Sequence, residues 1–138
     1  MFELFKSKKK DSKAKILVVD DEPDYLNTIQ CRLEWYNYEV VTACNGKEGL
    51  EKAIREKPSL ILLDTNMPIM NGHEMLERLR NAPEIKDTPV IMVTALCDAR
   101  DISRASSLGI CDYIAKPFHF PQLMEKIEKV LEKSRAGV

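Results

Sequence analysis

Three aspartates, a threonine and a lysine each follow a short apolar run in this 138-residue chain, and together their types fit phosphoryl transfer. Ile16-Leu17-Val18-Val19 runs into Asp20-Asp21, and Leu60-Ile61-Leu62-Leu63 runs into Asp64. Val90-Ile91-Met92-Val93 runs into Thr94, and Cys111 to Ala115 runs into Lys116-Pro117. Carboxylates brought close together repel, and they would not all stay ionised without a cation. Mg²⁺ suits such a set because it is hard and octahedral, keeps waters, and takes one or two carboxylates plus phosphate oxygens. Asp64 can attack phosphorus to give an aspartyl phosphate. Lys116 would offset charge on the phosphoryl group, and Thr94 would donate a hydrogen bond to one of its oxygens. Ala95 is small enough for a phosphate to approach its backbone N–H.

These residues can meet only if the runs lie side by side. Runs of four to six aliphatic residues between helix-like segments read as buried parallel strands. From Lys15 onward the pattern alternates strand and helix five times. Pro23 opens a helix with Leu26, Ile29 and Leu33 on one stripe; a more polar strand, Tyr38 to Ala43, follows. Asn45-Gly46-Lys47-Glu48 and Asn71-Gly72-His73-Glu74 have capping-box-like spacing. The helices they start would be buried through Leu50, Ala53 and Ile54, and through Met75, Leu76 and Leu79. Asp98 can cap a fourth helix carrying Ile102, Ala105 and Leu108, with Gly109 ending it; Pro121 opens a fifth with Leu123, Ile127, Val130 and Leu131 inward.

Five such units imply an α/β fold, a doubly wound five-stranded parallel sheet with helices on both faces. Polar second and fifth strands belong at the edges, which gives the flavodoxin-like order 2-1-3-4-5. Strands one and three then adjoin at the switch point, and they carry Asp20-Asp21 and Asp64.

Composition narrows the class further. The length suits one domain, and 44% hydrophobic with 31% charged residues fits a globular chain. Up to Lys15, six lysines against Glu3 and Asp11 leave +4; the chain's net -1 then leaves -5 on the rest. An acidic body with an acidic pocket suits a bound cation better than nucleic acid. Residues 1–14 are expected to form a flexible lysine-rich tail, 15–133 the folded domain and 134–138 a short C-terminal tail, so that no output domain is expected. No run is long enough to span a membrane, and Phe2, Leu4 and Phe5 are too few for stable anchoring. Cys31, Cys44, Cys97 and Cys111 lack metal or disulfide spacing and read as small buried hydrophobes of a reduced, cytoplasmic protein. Trp35 and Tyr36 read as packing at a helix end, and His73 and His119 as surface residues.

The stretch from Ile16 to Lys133 resembles the response-regulator receiver domains of two-component phosphorelay signalling. The matching blocks are VVDDEPD, LLDTNMPIMNG around Asp64, VTA at Val93 to Ala95, and YIAKPF at Tyr113 to Phe118, in order and in register. The resemblance implies a signalling receiver rather than an enzyme, a phosphoprotein that accepts its phosphoryl group on Asp64. The donor would be a histidine kinase or a histidine phosphotransfer protein. It implies Mg²⁺ held directly by Asp21, Asp64 and the carbonyl of Asn66, with Asp20 acting mainly through water. Thr94 and Tyr113 match the pair that rearranges to report phosphorylation to a downstream protein target. A cis Lys116–Pro117 bond and a monomer, or weak phosphorylation-dependent dimer, are also implied. In such domains the residues two after the acceptor and two after the threonine control water; here they are Asn66 and Leu96, which points to slow self-dephosphorylation.

Two other classes fit less well. An aspartyl-phosphate hydrolase of the haloacid dehalogenase type needs a second acid two residues after its nucleophile, and Asn66 stands there. A flavin-binding flavodoxin needs a hydroxyl- and glycine-rich loop after its first strand, where Asp20-Asp21-Glu22 would repel phosphate.

Overall fold

The computed structural model describes residues 13–95 and 99–135. Five strands form one parallel sheet: β1 (Lys15–Val19), β2 (Glu39–Ala43), β3 (Leu60–Asp64), β4 (Val90–Thr94) and β5 (Asp112–Ala115). Their order is β2-β1-β3-β4-β5, the order that the polar edge strands predict. The helices between and after them are α1 (Pro23–Trp35), α2 (Gly46–Glu56), α3 (Gly72–Arg80), α4 (Ala99–Ser107) and α5 (Phe120–Arg135).

Alternation along each strand divides the core into two layers. Ile16, Val18, Leu60, Leu62, Ile91 and Val93 face α1 and α5, meeting Leu26, Ile29, Leu33, Leu123 and Ile127. Leu17, Val19, Ile61, Leu63 and Met92 face α2, α3 and α4, meeting Ala53, Met75, Leu76, Leu79 and Ala105. Both faces of β1, β3 and β4 are therefore covered, which is why these runs are continuous rather than alternating in hydrophobicity.

Local chemistry sets the helix starts. Asn71 accepts from the Glu74 N–H at 2.9 Å, and the Glu74 carboxylate accepts from the Asn71 N–H at 3.3 Å, closing a full capping box. At α2 only half of the expected box forms. Asn45 accepts from the Glu48 N–H at 2.8 Å, but the Glu48 carboxylate accepts from the Cys44 N–H at 2.6 Å. Gly109, at φ 80, turns the chain after α4, as a left-handed position requires.

Some boundaries differ from the sequence reading. Lys13 N–H donates to Asn37 O at 3.0 Å and Glu39 N–H to Ala14 O at 2.9 Å, so these two residues join the sheet edge rather than a tail. Helix α5 runs through Ser134 to Arg135. Residues 1–12 and 136–138 lie outside the described residues, as do Asp98, the expected cap of α4, and Cys97. In α2, Ala53 is buried, Leu50 is half-buried and Ile54 is exposed, because the small Gly46 and Gly49 bring the helix in close on its other side. Among the described residues no helix is long and apolar enough to cross a membrane.

Candidate functional site

The sheet brings the four polar ends to one edge. Asp20 leaves β1 and is 1% exposed; Asp64 ends the adjacent β3 and is 7% exposed, while Asp21 is open to solvent. One carboxylate oxygen from each of the three lies within 4.8 Å of the others. Asp20 Oδ1 also accepts from the Glu22 N–H at 3.0 Å, which fixes its carboxylate at the start of α1. Three oxygen donors this close, one of them solvent-facing, fit a hard divalent cation such as Mg²⁺.

Lys116 reaches the same place from the end of β5, held there by its N–H donating to Thr94 O at 2.8 Å. Its Nζ donates to Asp20 Oδ2 at 2.6 Å and stands 3.8 Å from Asp64 Oδ1. The ammonium therefore bridges two carboxylates, hydrogen-bonding to the buried Asp20 and making a longer ion pair with Asp64. It also lies 4.3 Å above the centre of the Tyr25 ring, a cation–π contact. Burial pushes Asp64 up to a pKa of about 6; Lys116 pulls it down, and the charges of Asp20 and Asp21 push it up again. The Lys116–Pro117 bond is cis, as the resemblance implies.

Thr94 ends β4 and is buried, with its Oγ1 2.6 Å from Oγ1 of Thr65. Ala95 and Asn66 are exposed beside the carboxylates' strands, and Tyr113 is 40% exposed on edge strand β5. Leu96, assigned to water control, lies outside the described residues.

A family model described as response regulator receiver domain matches residues 16–128. The chain belongs to the response-regulator receiver family. The receiver is 40% identical over 121 residues to the probable transcriptional regulator ycf27 of Porphyridium aerugineum, covering 88% of this chain and 49% of that one. It is 38% identical over 120 residues to the alkaline phosphatase synthesis transcriptional regulatory protein PhoP of Bacillus subtilis (strain 168), covering 87% and 49%. The chain thus spans about half the length of the curated relatives it matches. A CheY-like response regulator receiver domain protein from Methanospirillum hungatei JF-1 superposes with a TM-score of 0.84 at 33% identity, covering 90% of this chain and 98% of that one. Response regulators are the proteins that histidine kinases phosphorylate in two-component systems.

The fold of this receiver corrects three sequence readings. Cys31, Cys44 and Cys111 are exposed rather than buried, since each falls on the solvent side of its helix or loop. Trp35, the last residue of α1, is 86% exposed, whereas Tyr36 pairs with Phe120, ring centres 5.9 Å apart. His73 is buried, between α3 and α4, while His119 is exposed as expected. Among the described residues neither ring nitrogen of His73 has a hydrogen-bond partner, and Nε2 stands 3.8 Å from Asp101 Oδ1.

Two residues near the chemistry escaped the sequence reading. Tyr25 places a half-buried ring under Lys116; burial and the charges of Asp20, Asp64 and Glu22 raise its pKa, and its hydroxyl has no hydrogen-bond partner among the described residues. Its place two residues after Pro23, in the first turn of α1 above the acidic pair, was the available signal. Thr65 had none beyond standing next to Asp64.

Proposed function

We propose that this receiver accepts a phosphoryl group on Asp64 and passes that event on through protein contacts. The observation that carries this reading is the clustering of Asp20, Asp21 and Asp64 within 4.8 Å, with the Lys116 ammonium 3.8 Å from Asp64. A carboxylate oxygen of Asp64 forms the new O–P bond, and the donor's bond to phosphorus breaks with its electron pair leaving on the donor. A phosphohistidine of a kinase or of a phosphotransfer protein is the donor class, and the leaving imidazole takes up a proton. Asp21, Asp64 and the Asn66 carbonyl, with Asp20 beside them, would hold Mg²⁺, which would supply charge neutralisation for the phosphoryl oxygens. Lys116 offsets the remaining charge, Thr94 and the Ala95 N–H donate hydrogen bonds to the phosphoryl oxygens, and Tyr113 responds to the movement of Thr94.

The raised pKa of Asp64 fits an acceptor that awaits a cation. A carboxylate made costly by burial and by like charges gains most when positive charge arrives. The relatives' names make them transcriptional regulators, and this chain spans about half of each. Its own acidic pocket and its half-exposed Tyr113 support a protein target rather than nucleic acid. Asn66 offers an attacking water only an amide, which supports slow loss of the phosphoryl group.

Acetyl phosphate with Mg²⁺ tests the acceptor. Intact mass should show one added phosphoryl group, stable to acid and labile to base, and Asp64→Asn should add none. Equal labelling of the two proteins would overturn the assignment.

A further inference from the structure

The hydroxyl beside the acceptor has a partner that no reading of the site assigned. Thr65 Oγ1 and Thr94 Oγ1 are 2.6 Å apart, and the two residues are 8% and 3% exposed. They come from different elements: Thr65 leaves β3 and Thr94 ends β4. Thr65 is firmly placed. The Gly72 N–H at the start of α3 donates to its carbonyl at 3.0 Å, and a Cβ at position 72 would come within 2.8 Å of its Cα. Thr94 lies beside a void of about 10 Å³ bounded by Ile102, Ala105, Ile110 and Tyr113 as well as the two threonines. Such a void is at the lower limit for one water, so solvent is a poor substitute for a hydroxyl partner there.

We propose that Thr65 is a positioning residue of the switch: its hydroxyl holds Thr94 in the resting position and so sets the balance between resting and active receiver. This rests on the proposed role of Asp64 and Thr94 for its active end state. A threonine hydroxyl has one proton to donate. When Thr94 gives it to Thr65, a phosphoryl oxygen on Asp64 must win it back. When Thr65 is the donor, Thr94 still gives up a buried contact by moving toward phosphorus. Either way the phosphoryl group works against a bond in a low-dielectric pocket, where an orphaned hydroxyl is costly. The same movement opens space toward Tyr113, which also lines the void.

Thr65→Val removes the hydroxyl and keeps the shape, Thr65→Ser keeps the hydroxyl, and Thr65→Ala covers the case in which the valine variant does not fold. Two readouts separate the latch from the acceptor chemistry. NMR of the Tyr113 ring in unphosphorylated protein gives the inward population without any phosphoryl group, and beryllofluoride titration with Mg²⁺ gives the midpoint of activation. Thr65→Val should raise the inward population and lower the beryllofluoride midpoint by about five- to tenfold, the factor that one net buried hydrogen bond supplies. Thr65→Ser should match the parent in both. An unchanged Tyr113 population in Thr65→Val overturns the latch, and so do equal shifts in the valine and serine variants, which would make packing the cause. A parent protein that takes no beryllofluoride overturns the reading of Asp64, while the Tyr113 populations still decide the latch.

Discussion

Helices α3 and α4 are each nine residues long and lie side by side against the same sheet face, yet they are held very differently. In α3, Gly72, His73, Met75, Leu76 and Leu79 are buried, and a full capping box closes its start. At its end the Arg80 guanidinium donates to four carbonyls, those of Lys86, Thr88, Leu108 and Gly109, at 2.8–3.1 Å. In α4, Ala105 is buried and Ile102 half-buried among the side chains described. Two of the Arg80 contacts fall just beyond the C-terminal end of α4, so α3 also anchors its neighbour there. The lesson is a division of labour at one sheet edge. Helix α3, beside Asp64 and Thr65, is fixed by backbone-level packing, and α4 is fastened just beyond its C-terminal end by Arg80.

The largest test strikes the rigid side. A Cβ at Gly72 would overlap the Asp64 carbonyl and crowd Thr65, both backbone, so relief requires α3 to shift. Gly72→Ala should cost about 3 kcal/mol by urea unfolding. A loss no greater than that of an exposed helix substitution would show that α3 is not rigidly docked.

Next in size is the electrostatic penalty stored at Asp64, whose pKa rises from 3.8 to about 6 on folding. Between those values the folded protein binds more protons than the unfolded chain. Stability therefore falls as pH rises through this window, and the penalty is complete above pH 6. In chelator, Asp64→Asn should stabilise the protein by about 2 kcal/mol at pH 7.5 and by nothing below about pH 4. A gain that persists at low pH would point to packing instead.

Hydrogen exchange sharpens the contrast directly. Interior amides of α4 should exchange at least about tenfold faster than those of α3, a difference of about 1.4 kcal/mol in local opening. Equal protection would end the comparison. Asn71→Ala removes the cap and should cost about 1 kcal/mol, with the faster exchange confined to the first turn of α3.

The smallest effect lies between the two helices. Burial and Arg104 lower the pKa of His73, against the pull of Asp101. As pH falls below 6.5 the unfolded chain takes up a proton that the folded one resists, and stability is lost. His73→Leu should remove this loss, read as a shallower slope of stability against pH below 6.5. An unchanged slope would mean that the imidazole is protonated in place.

The sheet, its order and the meeting of Asp20, Asp21, Asp64, Thr94 and Lys116 were legible in the sequence. Strand runs and turn residues are local signals, and parallel order follows from which strands are polar. The receiver motifs carried the same positions independently. What the sequence did not contain was the choice among partners within reach. Lys116 could meet Asp20 or Asp64, and the folded geometry places it against both, with the hydrogen bond on Asp20. His73 follows the α3 cap in sequence, where a polar residue reads as solvated, but α4 packs across it. Trp35 and three cysteines looked like core by type, yet burial depends on which side of an element faces the sheet. The contact between Thr65 and Thr94 joins residues 29 positions apart through two hydroxyls that also suit any strand end. Local pattern determines which elements form and in what order; only their packing decides which of several compatible neighbours a polar side chain meets, because that depends on distances set by the whole core.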